Sequence, residues 1–66
     1  MNNEEAKSEF QRLLNEGQAL YDSNNVKEAV KVYMTALLMY KNVDNYLLAT
    51  AYVKLGNAYY EALVHS

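Results

Sequence analysis

A four-residue polar break, Asp22-Ser23-Asn24-Asn25, constrains this chain more than any other feature, because apolar or small residues recur at helical spacing on both sides of it. Leu13, Gly17 and Leu20 lead into the break, and Ala29, Tyr33 and Ala36 lead out of it, so two helices can face each other across small residues. All four turn side chains can bond to nearby backbone, and asparagine accepts the left-handed conformation that closes many helices. A connection this short makes the two helices antiparallel neighbours.

The boundaries follow from capping patterns. Asn2 and Glu5 have capping-box spacing, and Glu4 and Glu5 stand where a helix N-terminus favours negative charge, so a first helix is predicted over 3–22. Its apolar face is Phe10, Leu13, Leu14, Gly17, Leu20 and Tyr21. Asn25 and Glu28 repeat the capping-box spacing, and a second helix is predicted over 26–42 with Ala29, Val32, Tyr33, Ala36, Leu37 and Tyr40 on one side. The junction from Lys41 to Asn45 lacks glycine and proline; Asp44 is the candidate N-cap of a third helix over 45–64. The apolar stripe of that helix is read as Leu48, Ala51, Tyr52, Leu55, Tyr59, Ala62 and Leu63. The expected fold class is therefore all-α, an antiparallel three-helix array in a single domain spanning 1–66.

Composition narrows the function classes. With no cysteine there is no disulfide framework or thiolate chemistry, and a cytoplasmic setting is the default. The longest uncharged apolar run, Val32 to Tyr40, is too short to span a bilayer, and the N-terminus is acidic where a signal peptide is basic. A formal charge of -2 and scattered basic residues (Lys7, Arg12, Lys27, Lys31, Lys41, Lys54) argue against nucleic acid. His65 is the single histidine, so neither a metal set nor a Ser-His-acid constellation can be assembled, and the two glycines lie inside helical patterns rather than in a phosphate-binding loop. No catalytic residue, metal or cofactor is expected. The aromatic content is seven tyrosines and one phenylalanine, side chains able to line a surface while their polar tips reach water or a partner.

The segments also echo one another. Tyr52-x-x-Leu55-Gly56-x-x-Tyr59 matches the first-helix pattern of the tetratricopeptide repeat, Ala29-x-x-x-Tyr33-x-x-Ala36 matches its second-helix pattern, and Leu13-x-x-Glu16-Gly17-x-x-Leu20 is a variant of the first. The chain thus resembles a tetratricopeptide repeat, one full repeat followed by the first helix of another. It departs from the family in the spacing of its glycines, about 39 residues against roughly 34. Glu16 stands in place of a leucine, and Lys41 in place of the closing proline. The alternative is a stand-alone three-helix bundle of the microtubule-interacting-and-trafficking type.

The resemblance implies a non-catalytic protein-protein interaction module whose first helices line a concave groove for an extended peptide or a helix of another protein. The matching positions are Gln11, Leu14, Gln18 and Tyr21 on the first helix and Thr50, Val53, Asn57 and Tyr60 on the third. Asn57 matches the asparagine with which many family members hold a bound peptide backbone. Leu14 and Val53 occupy positions where the chaperone-binding members carry a lysine. Tyr21 and Tyr60 fit half-buried packing equally well. The competing function is self-assembly: the flank of the third helix that a further repeat would cover, Tyr52, Tyr59, Leu63 and Val64, is expected to form a homodimer interface.

Overall fold

Asn2 opens the first helix by accepting the Glu5 backbone N–H on its side-chain oxygen at 2.8 Å, which satisfies one of the donors that every helix start leaves free. The computed structural model describes residues 2–65. Three helices follow one another in it: α1 (Asn3–Asp22), α2 (Val26–Met39) and α3 (Asn45–Val64), with no strand among the described residues. The fold is all-α, three helices joined by short turns.

The α1–α2 turn is a Schellman closure. Asn24 takes φ 69°, its N–H bonds to the Tyr21 carbonyl at 3.1 Å, and the Asn25 N–H reaches back to the Leu20 carbonyl at 2.8 Å. Ser23 adds a hydroxyl bond to the Leu20 carbonyl at 3.1 Å. The capping box expected at Asn25 and Glu28 does not form. The Asn25 amide instead donates to the Ser23 hydroxyl at 3.1 Å, because the turn holds that side chain beside its own residues rather than over the start of α2.

The second helix is shorter than its sequence pattern predicts, ending at Met39 rather than near Asn42. Leaving α2 here lets Tyr40 and Val43 pack against the core from within the turn, and brings Asp44 to the head of α3. Asp44 accepts the Leu47 N–H at 2.9 Å, a cap of the kind that contributes about 1 kcal/mol. Helices α2 and α3 are therefore separate.

The core is small and centred on α2. Phe10, Leu14, Ala29, Tyr33, Ala36, Leu47, Ala51 and Ala58 are buried, with Leu13, Leu20, Leu37, Leu48 and Leu55 half-buried around them. Helix α2 packs against both neighbours, while α1 and α3 meet more sparingly. Two contacts tie the outer helices together, Lys7 to Asp44 at 3.6 Å and Lys54 to Gln18 at 2.6 Å. These contacts advance together along both helices, so α1 and α3 run parallel with α2 antiparallel between them.

The expected stripe of α3 requires correction. The helix buries Leu47, Ala51 and Ala58, whereas Tyr52, Tyr59 and Leu63 are exposed. Alanines at the contact let α3 lie close against Ala29 and Ala36, and turning the tyrosines outward keeps their hydroxyls in water. Glu16 is likewise no part of the core: it is exposed and lies 3.5 Å from Arg12, which is also engaged by Glu9 at 2.9 Å.

Candidate functional site

The parallel arrangement of α1 and α3, with α2 set behind them, leaves an open cleft of about 460 Å³. Gln18 and Tyr21 of α1 form one wall, and Tyr46, Ala49, Thr50, Val53, Lys54 and Asn57 of α3 form the other. Tyr33 of α2 contributes at the base. These residues recur at three- and four-residue steps, which puts them on one edge of each helix.

The polar groups of the cleft are partly committed. Lys54 donates to the Gln18 side-chain carbonyl, and the Gln18 amide in turn donates to Asp22 at 2.9 Å, so a chain of three side chains links the α3 wall to the α1 wall. Thr50 returns its hydroxyl proton to the Tyr46 carbonyl at 2.9 Å, which leaves its oxygen available only as an acceptor. Asn57 is exposed, and no hydrogen bond among the described residues uses its side-chain amide. Among the described residues that line the cleft, Lys54 alone is formally charged. The arrangement suits recognition of apolar side chains alongside a hydrogen-bonding backbone.

The structure divides the sequence-predicted groove residues. Gln18, Tyr21, Thr50, Val53 and Asn57 line this cleft. Leu14 does not, since it is 1% exposed and belongs to the core. Gln11 lies on the outer surface of α1, bonded to Asn15 at 3.3 Å, and Tyr60 is exposed beyond the edge of the cleft. Sequence reasoning missed Tyr33, Tyr46, Ala49 and Lys54. Lys54 stands four residues after Thr50 and three before Asn57, spacing from which it could have been placed on the same edge.

Burial pushes the Tyr33 phenol above its ordinary pKa, assisted by the negative charge of Asp22 and by Tyr21. The folded protein thus holds this proton more tightly than the unfolded chain does. The stability linked to it is intact below the unfolded phenol value of about 10 and is lost as pH rises through the higher folded value. Tyr33→Phe removes the group, so the stability difference between wild type and variant should change between about pH 9 and about pH 11, with the wild type losing ground. Urea denaturation at the two pH values reads this directly, and parallel losses in both proteins would refute it.

No family model, curated protein or solved structure matches the chain. Among the described residues, no three metal-ligating side chains come together and no helix is long and apolar enough to cross a membrane.

Proposed function

We propose that this chain is a tetratricopeptide-type helical array that acts as a non-catalytic interaction module, taking an extended peptide or a helix of another protein in the cleft between α1 and α3. One observation carries the reading: an open, largely apolar cleft lies between two parallel helices and presents an uncommitted asparagine amide, Asn57, beside Val53 and Tyr21. Its volume lies within the range of sites that bind small ligands or a few side chains, roughly 300–1,000 Å³. Apolar walls supply affinity by burial, and the amide fixes the register of a bound backbone. The separation of α1 and α3 by α2 favours a repeat array over a closed three-helix bundle.

The test uses positions whose side chains face solvent, so that folding is preserved. A displayed peptide library is panned against the protein, and recovered peptides are measured by fluorescence polarisation. Val53→Glu should weaken them about a hundredfold and Asn57→Ala about tenfold, the first by placing a charge in an apolar wall and the second by deleting a backbone-directed bond. Tyr59→Ala, on the far side of α3, should bind as wild type. Peptides that bind all three variants equally would overturn the assignment of the cleft.

A further inference from the structure

Lys54 is the one basic residue of the chain that is not exposed. The other five stand in water, and three of them have a carboxylate within reach: Asp44 for Lys7, Glu9 and Glu16 for Arg12, and Glu28 for Lys31. Lys54 is half-buried in the cleft, yet no carboxylate of the described residues pairs with it. Its partner among the described residues is the neutral Gln18 carbonyl at 2.6 Å, so two of its three N–H donors are left over. A cation withdrawn from water is normally matched by a negative charge.

The base of the cleft holds a second spare donor. Tyr33 is 1% exposed and lines the cleft, but its hydroxyl enters no hydrogen bond among the described residues. Among those residues no polar side-chain atom is both sealed from solvent and without a partner, so the hydroxyl opens on the cleft. The ring is fixed, lying against Gly17 too closely for even a β-carbon between them. Asp22, whose charge reaches Tyr33, is exposed and takes the Gln18 amide, so water screens it and it gives Lys54 no direct partner. We propose that the cleft selects an extended peptide carrying an aspartate or glutamate side chain, whose carboxylate takes hydrogen bonds from Lys54 and Tyr33 while flanking apolar residues pack on Tyr21 and Val53.

The preference rests on the peptide-binding reading of the cleft and adds the chemistry of the ligand. An ionised carboxylate has two oxygens and no proton to give, which matches an ammonium and a phenol that both donate. Bonds of this charge-assisted kind are the strong ones. A ligand lysine or arginine would meet Lys54 with like charge, and an amide would bring one oxygen without the charge. A side-chain carboxylate fits better than a chain terminus. Lys54 stands between Thr50 and Asn57 on the α3 wall, so a peptide ending at Lys54 would leave the wall on one side of it uncovered. The preference is also local. The chain carries a net charge of -2, which repels acidic peptides at long range, so any gain from an acid comes from these two donors.

Peptides panned on the full chain should share one acidic position among apolar ones. In fluorescence polarisation, changing that residue to its amide, Glu to Gln or Asp to Asn, should weaken binding to the wild type at least about tenfold. Lys54→Met should bind the two forms alike, Lys54→Arg should keep the preference, and Tyr33→Phe, which deletes only an unbonded hydroxyl, should reduce it about threefold. A helical far-ultraviolet spectrum checks that each variant is folded. Lys27→Met removes the same charge from the exposed start of α2 and should leave the acid-to-amide ratio unchanged. Amidating the peptide's C-terminus should change little; a loss there as large as that of the side-chain acid would place the chain terminus at Lys54 and overturn the proposal. So would a preference that survives Lys54→Met or is untouched by Tyr33→Phe. Equal binding of acid and amide forms, in peptides that Val53→Glu still weakens, would overturn the preference while the cleft reading stands. Peptides indifferent to Val53→Glu, or no peptide recovered, would overturn the cleft reading and the preference with it.

Discussion

Phe10→Ala should leave the chain largely unfolded at room temperature. The ring is fully buried in a core whose other large, wholly enclosed side chains are Tyr33 and Leu14. Truncating a buried phenylalanine costs about 3–5 kcal/mol, the lost transfer energy of the ring plus the cavity it leaves. A domain of this size has a total stability of only about 3–10 kcal/mol at the usual 0.05–0.15 per residue. The deletion therefore removes much or all of the margin, and the alanines lining the core cannot extend to fill the space. Far-ultraviolet circular dichroism with urea titration reads the result. A loss below about 1 kcal/mol would mean that the Phe10 site is not the close-packed centre described.

Gly17→Ala and Gly56→Ala should act in opposite directions although both replace a helical glycine in a similar local sequence. Alanine gains up to about 1 kcal/mol over glycine in a helix interior, and at Gly56, with nothing near the new methyl group, that gain should appear undiminished. At Gly17 the added carbon would fall 2.8 Å from Cδ1 and Cζ of Tyr33 and nearer still to Cε1. That ring is 1% exposed and held on its other side by the core, so it cannot swing into solvent as a lysine tip would. Overpacking costs about 1–3 kcal/mol or more and outweighs the helix gain. With about 4–8 °C of melting temperature per kcal/mol in a domain this small, Gly17→Ala should melt several degrees lower and Gly56→Ala several degrees higher than wild type. A Gly17→Ala protein as stable as wild type would show that α1 can draw away from α2 without cost.

The helices were legible because their signals are local. Asn2 and Asp44 cap through their own side chains onto backbone three residues ahead, and Asn24 adopts the left-handed conformation available to few residues other than glycine. The bounds of α1 and α3 coincide with those read from the sequence, 3–22 and 45–64. The end of α2 was not legible. No glycine or proline marks Tyr40, and the turn begins there because Val43 and Asp44 have to reach the core and the start of α3.

The cleft was legible only in part for a related reason. Helical spacing shows which residues share an edge, but the depth of each edge depends on how closely the neighbouring helix approaches. Leu14 and Gln18 stand one turn apart on α1; the first is enclosed and the second reaches Lys54 across the cleft.

By itself the sequence determined that the chain makes three helices, where the first turn closes, and that α1 and α2 face each other across small residues such as Gly17. Each of these rests on hydrogen bonds within a few residues or on one conspicuous gap in side-chain volume. The tertiary structure decided which side of α3 faces inward. Apolar residues surround that helix and its two charges mark only a boundary, so hydrophobic periodicity allowed a tyrosine-bearing stripe as readily as an alanine one. Close approach across Ala29, Ala36, Ala51 and Ala58 settled the choice, because four small residues let two backbones pack densely, whereas tyrosines turned inward would hold them apart and strip water from their hydroxyls.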